Sequence, residues 1–234
     1  AATCLRGLSW SVVPTTLVGM IDAAIGGKVA INSAYGKNLV GAFHLPKNVW
    51  ICREFLETLP EEEVLSGKGE MLKYFFLDAE IGKKAEGQSE LNWSFLVEDC
   101  ALYKLKVSEE DFKEGGQRKI LNLGHTFGHA YERIYHIPHG EAVFWGMVTT
   151  FLIYERKDLV EKLKEYAANI GVYRSEPPWL NKTLPVEDIF SYVGKDKKMP
   201  NATSIDMILI EDLGKPVIEN TDLSDLKKRF SDHY

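Results

Sequence analysis

After Leu59-Pro60 the spacing of apolar residues in this chain changes, and that change divides what it can fold into. Before that point, short apolar runs alternate with one stretch of helical spacing. LSWSVVP (8–14) is apolar, β-branched and closed by proline, which predicts a buried strand. PTTLVGMIDAAIGGK switches to helical spacing and stops at Gly26-Gly27. VAINSAYGKNLVGAFHLP is punctuated by Gly, Asn and Pro and reads as loop or turns around ordered pieces, and NVWICR (48–53) as a second strand. Beyond Pro60 the pattern is helical. PEEEVLSGKGEMLKYFFLDAEIGKKAE carries acids in its first turn and apolar residues at Val64, Leu65, Met71, Leu72, Phe75 and Phe76. Helical patterns recur at 91–107, 117–136, 140–154 and 157–170, before a hairpin in TSIDMILIEDLGKPVIE and a last amphipathic helix in DLSDLKKRFSDH. The expected fold is an α/β segment over 1–60, then a mostly α-helical domain over 61–234 with a small β-hairpin near the end.

With 234 residues and 45% apolar composition, the chain can bury a substantial core. A formal charge of -6 argues against a nucleic-acid partner or an anionic membrane surface, which call for a basic face. Cys4, Cys52 and Cys100 are odd in number and widely spaced, which fits reduced thiols in a cytoplasmic protein and provides no cysteine zinc site. No apolar run approaches the ~18 residues of a membrane helix. AATCLRGLSW has neither a Met nor the pattern of a signal peptide and opens as though within a helix, so a longer parent protein is expected.

NLGHTFGHAYERIYHIPHGE (122–141) concentrates His125, His129, His136 and His139, out of six histidines in all. His125 and His129, spaced i, i+4, share one helical face. They can chelate one divalent ion together, divide between metal and substrate, or stand as two half-exposed helix residues. His139 precedes the next apolar helix and can turn back toward either. His136 reads as a surface residue at a helix end. Glu70 and Lys73, spaced i, i+3, are either a solvated pair or a metal carboxylate beside a substrate cation. Lys28, Lys37, Lys104, Arg118 and Lys197, with nearby glycines, together suit an anionic, phosphorylated ligand.

These motifs carry a resemblance. DAAIGGKVAINSAYGKNLVGAFHLP, LETLPEEE, GEMLKY, KEGGQRKILNLGHTFGHAYE, HGEAVFWGM and DKK stand in the order seen in 3-dehydroquinate synthases, from Arg6 to about Lys198. The resemblance implies an enzyme that uses NAD and a divalent metal, zinc or cobalt. Its substrate is a small phosphorylated sugar acid, 3-deoxy-D-arabino-heptulosonate 7-phosphate, converted to 3-dehydroquinate and phosphate in the shikimate pathway of aromatic amino acid biosynthesis. The implied steps are oxidation of a ring hydroxyl, phosphate elimination, reduction, ring opening and aldol closure.

By position, the resemblance makes Glu70, His125 and His139 the metal ligands. It places Arg6, Asp22, Lys28, Asn38, Lys73, Lys104, Arg118, Asn122, His129 and Lys197 around the substrate. Thr15, Thr16, Asp22, Lys28, Lys37 and Thr58 match positions on the NAD side. A homodimer in the cytoplasm is implied. The family's Gly-rich NAD pyrophosphate loop has no counterpart here, so weak NAD binding and little turnover are expected of these 234 residues alone. Cyclases that make 2-deoxy-scyllo-inosose or valiolone skeletons are the nearest alternative. A non-catalytic helical module stabilised by metal is a second, although a structural site usually has four protein ligands.

Overall fold

Asp78 stops the first long helix and starts the next. The computed structural model, which describes residues 1–34, 36–86, 92–172, 176–182, 184–195 and 203–234, divides the expected helix after Pro60 into α1 (Glu61–Leu77) and α2 (Ala79–Ala85). Asp78 is extended, and its Oδ1 accepts from the amides of Glu80 and Ile81 at 2.8 and 3.1 Å. An aspartate that satisfies two orphan amides is worth more as a cap than as a mid-helix residue. The chain forms two units, Ala1–Val64 with Ser94–Arg118, and Leu65–Trp93 with Lys119–Tyr234.

In the first unit the strand expected at 8–14 shrinks to β1 (Ser11–Val12), paired in parallel with β4 (Asn48–Val49). Residues Arg53–Thr58 turn into a 3-10 helix, which ends the extended run expected to 53. The helical stretch after Pro14 closes as a π-type turn at Gly19–Ala23, capped by Thr16 Oγ1 accepting from the Gly19 amide at 3.1 Å. The segment expected as loop is a β-hairpin of β2 (Lys28–Ser33) and β3 (Gly36–Phe43). There Gly41 is no break: it faces Ala30 across the ladder, and a Cβ on it would come within 2.7 Å of the Val29 carbonyl oxygen. Helix α3 (Leu96–Glu110) packs on the π turn, burying Leu96, Val97 and Cys100 with Met20 and Ile21.

In the second unit the helix expected over 117–136 is also broken. A 3-10 turn (Gln117–Asn122) precedes α4 (His125–Tyr135), and Gly124 between them has φ +78°. A Cβ there would lie 2.6 Å from Met147 Cγ and 2.7 Å from the Val143 carbonyl oxygen. Helix α5 (His139–Ile153) is apolar on every side and buried along most of its length, so it is the centre of this unit. Around it lie α4, α6 (Lys157–Asn169) and α8 (Leu223–His233), and α7 (Val186–Lys195) packs on α4. The hairpin near the end is β5 (Ser204–Asp212) with β6 (Lys215–Asp222), antiparallel. Phe230 of α8 stacks on Phe127 of α4 at 5.5 Å. Among the described residues no helix is long and apolar enough to cross a membrane.

Candidate metal centre

Glycines set the spacing of the helices that carry the histidines. Gly128 of α4 lies against Ala142 and Val143 of α5, and a Cβ on Gly146 would reach within 2.7 Å of the Gly128 amide nitrogen. Gly140 crosses α1 in the same way, its amide donating to Ser66 Oγ at 3.1 Å. With no side chains between the backbones, Glu70 on α1, His125 at the start of α4 and His139 at the start of α5 converge.

Glu70 is 2% exposed. Its Oε1 is paired with the Lys73 ammonium, itself 1% exposed. Its Oε2 faces His125 Nε2 at 3.5 Å and His139 Nε2 at 3.6 Å. One ligand atom from each of Glu70, His125 and His139 falls in a group spanning no more than 4.8 Å. The other ring nitrogen of each histidine is taken: His125 Nδ1 lies 3.1 Å from the Leu123 carbonyl oxygen, and His139 Nδ1 lies 3.0 Å from Glu132 Oε2. An Nδ1–H donated to each acceptor leaves Nε2 of both rings facing the Glu70 carboxylate, free to ligate an ion once the His139 Nε2 proton is displaced.

Burial pushes the His125 pKa down to about 3, helped by the Lys73 charge and opposed by Glu70. Burial also disfavours charge on His139, but Glu132 and Glu70 outweigh it and raise its pKa to about 9. A neutral imidazole and a carboxylate-held imidazole, with a buried carboxylate, suit a divalent ion of zinc or cobalt type with a coordination position left open. His129 is a half-buried neighbour, its ring 5.3 Å from His125 and 6.2 Å from His139. His136 is exposed at the left-handed C-cap of α4.

The remaining site residues divide by unit. Asn122 belongs with the histidines and is half-buried. In the first unit Lys104 bonds Asp22 at 2.7 Å, and Lys28 is paired with Glu114. Arg118 is 1% exposed, and its Nη1 donates to the Phe112 carbonyl at 2.8 Å. Its Nε and Nη2 have no hydrogen-bond partner among the described residues. Gly26, at φ +92°, leaves room for Arg118: a Cβ would lie 2.9 Å from its Cζ. Arg6, Thr15, Asn38 and Thr58 are exposed, and Thr16 is partly buried as the cap of the π turn. Lys37 falls on β3, and Lys197 lies outside the described residues. Sequence reasoning passed over Glu114 and Glu132. Glu132 had a signal, since it follows His125 by two helical turns, whereas nothing in the spacing of Glu114 pointed to Lys28.

Comparison with known proteins gives this arrangement a context. Over the whole chain the fold matches solved sugar-phosphate cyclases. One is 2-deoxy-scyllo-inosose synthase complexed with carbaglucose-6-phosphate, NAD+ and Co2+, with a TM-score of 0.79 and 26% identity, covering 100% of this chain and 70% of that one. Another is 2-epi-5-epi-valiolone synthase from Streptomyces hygroscopicus subsp. jinggangensis 5008, with a TM-score of 0.81 and 22% identity, covering 100% of this chain and 67% of that one. The fold is therefore that of the sugar-phosphate cyclases.

Sequence comparison is narrower. The model of the 3-dehydroquinate synthase N-terminal domain matches residues 1–66, and that of the C-terminal domain residues 67–199. The 3-dehydroquinate synthase of Staphylococcus epidermidis is 39% identical over 241 residues, covering 99% of this chain and 68% of that protein. The Thermococcus kodakarensis enzyme is 39% identical over 235 residues, covering 97% of this chain and 65% of that protein. This chain belongs to the 3-dehydroquinate synthase family, and it spans about two thirds of the length of these relatives.

Proposed function

We propose that the chain forms the metal- and substrate-binding part of a 3-dehydroquinate synthase. The whole enzyme acts as a carbon–oxygen lyase on 3-deoxy-D-arabino-heptulosonate 7-phosphate, as a homodimer in the cytoplasm. The observation that carries the reading is the paired orientation of His125 and His139, each with Nδ1 engaged and Nε2 facing Glu70, in a chain matched by that family's models over residues 1–199. A divalent ion there supplies Lewis acidity to the adjacent substrate hydroxyls. NAD supplies a hydride acceptor and then a donor, and the inosose synthase structure, which holds NAD+ and Co2+, supports both cofactors.

The chain's own residues do the rest. Lys73 fixes the Glu70 carboxylate and keeps its charge compensated in a dry environment. The two unsatisfied nitrogens of Arg118 suit a carboxylate or phosphate taken in two parallel hydrogen bonds. Lys28 and Lys104 already face carboxylates in this structure, so an incoming anion competes with Glu114 for Lys28. His129 is assigned to the substrate, where an imidazole can accept or return a proton. Arg6, Asp22, Asn38, Asn122 and Lys197 are assigned to the substrate as well. Thr15, Thr16, Lys37 and Thr58 are assigned to NAD, together with Asp22 and Lys28.

The test is calorimetric binding of heptulosonate 7-phosphate to the zinc-loaded protein, in competition with glucose 6-phosphate. The expected result is binding that depends on zinc and that glucose 6-phosphate does not displace at equal concentration. Preference for glucose 6-phosphate would move the assignment to an inosose-type cyclase, and absence of metal binding would overturn it.

A further inference from the structure

His125 and His139 are held in different ways. His125 is 8% exposed and walled in, and its Nδ1 faces a backbone carbonyl that no side-chain substitution removes. His139 is the first residue of α5, follows an exposed Pro138, and keeps 32% of its side-chain surface exposed. An imidazole so placed can flip about χ2 and offer either nitrogen to the centre of the site. Among the described residues, Glu70 Oε2 faces its Nε2 at 3.6 Å, and the side chain that holds its Nδ1 is Glu132, whose Oε2 lies 3.0 Å away.

Glu132 is well placed for that task. It stands seven residues after His125 and three after His129, so all three share one face of α4. The connection from α4 to α5 is short, and it brings His139 back to that face. We propose that Glu132 is the positioning residue of the metal centre. By accepting from His139 Nδ1 it fixes the tautomer and ring orientation that present Nε2 to the ion, and its charge raises the basicity of that ligand. The proposal rests on the metal reading given above. The competing role is structural: a carboxylate beside the first turn of α5 can steady that helix through its dipole with no effect on metal.

The experiment compares wild type, Glu132→Ala and Glu132→Gln as purified full chains. Zn2+ affinity is read by competition with a chromogenic chelator, the visible absorption of the Co2+ form is recorded, and the apo protein is melted in EDTA. The expected result is a loss of about 10- to 100-fold in Zn2+ affinity for Glu132→Ala, with a shifted Co2+ band and an unchanged apo melting temperature. Glu132→Gln keeps an acceptor oxygen for Nδ1–H and is expected to recover most of the affinity. Equal affinity and an identical Co2+ spectrum in wild type and Glu132→Ala overturn the proposal while leaving the metal reading intact. So does an apo melting temperature that falls in both variants in step with affinity, since that is the structural role. If wild type itself takes up no Zn2+, both readings fail together.

Discussion

Gly140 crosses Ser66 at backbone distance: its amide donates to Ser66 Oγ at 3.1 Å, and a Cβ on it would lie 2.6 Å from the Ser66 carbonyl carbon. This crossing locks the start of α5, and so His139, against the helix that carries Glu70. Gly140→Ala must separate the two backbones or unwind a turn of one. Expected destabilisation is at the upper end of the ~1–3 kcal/mol typical of overpacking. Because the separation falls between two ligands, zinc affinity should drop as well. Denaturant melts with and without Zn2+ check both. An alanine variant that melts and binds zinc like wild type would show that the crossing does not set the site.

The Glu70–Lys73 pair gives a second test. Both side chains are almost wholly buried. Removing one partner of a buried pair typically destabilises by about 3–5 kcal/mol, because the remaining charge is left without compensation. Lys73→Met keeps most of the volume and removes the charge, so the apo protein should lose stability in that range. A divalent ion at Glu70 replaces the missing positive charge, so Zn2+ should stabilise Lys73→Met more than wild type. Urea titrations in EDTA and in Zn2+ measure the gap, which should narrow with metal. A gap unchanged by Zn2+ would mean that the ion does not sit on Glu70.

The helical half of the chain was legible because its apolar positions recur at helical spacing, and α5 and α6 fall within a residue of where that spacing puts them. Two breaks were not legible. Asp78 and Gly124 each interrupt a continuous apolar pattern, one by competing for amides and the other because packing against α5 leaves no space for a side chain. The hairpin at 28–43 was read as loop because its Gly and Asn residues look like punctuation, whereas Gly41 serves the cross-strand contact with Ala30. At the site, spacing alone could place His125 and His129 on one face but could not choose between them. That choice depends on where the Glu70 carboxylate falls, and only the fold brings its Oε2 to face Nε2 of His125 and of His139.

Tyr131 and Tyr166 are fully buried, and burial holds both phenols above their ordinary pKa, with the Tyr234 hydroxyl adding to the effect at Tyr131 and the Glu86 charge at Tyr166. The folded protein therefore retains protons that the unfolded chain releases near pH ~10. The associated stability is fully present below that pH and is lost as pH rises through the folded values. In an alkaline titration followed by phenolate absorbance, some of the ten tyrosines should ionise near pH ~10 and the rest only as the helical circular dichroism is lost. Tyr131→Phe and Tyr166→Phe should each remove one residue from the late group. Ionisation of all ten with the helical signal intact would contradict this.

His129 faces the same cluster as the two proposed ligands but differs from them in what it offers. Glu70 Oε1 is engaged by Lys73, and Oε2 is approached by Nε2 of His125 and of His139. Those three residues make the group of metal-capable atoms found among the described residues, and His129 is not in it. Three protein ligands leave coordination positions for substrate oxygens, and an imidazole beside such a position is placed to move a proton rather than to bind the ion. Substituting His129 by Ala should therefore leave zinc content at wild-type stoichiometry, while His125→Ala and His139→Ala lose it. In the full-length enzyme, turnover of heptulosonate 7-phosphate with NAD and Zn2+ should fall by about 10²- to 10⁴-fold in His129→Ala, the usual range for a lost general acid or base. Metal analysis of the dialysed proteins beside the assay separates the roles: zinc lost from His129→Ala would make it a ligand and would return the i, i+4 pair to the chelating role its spacing allows.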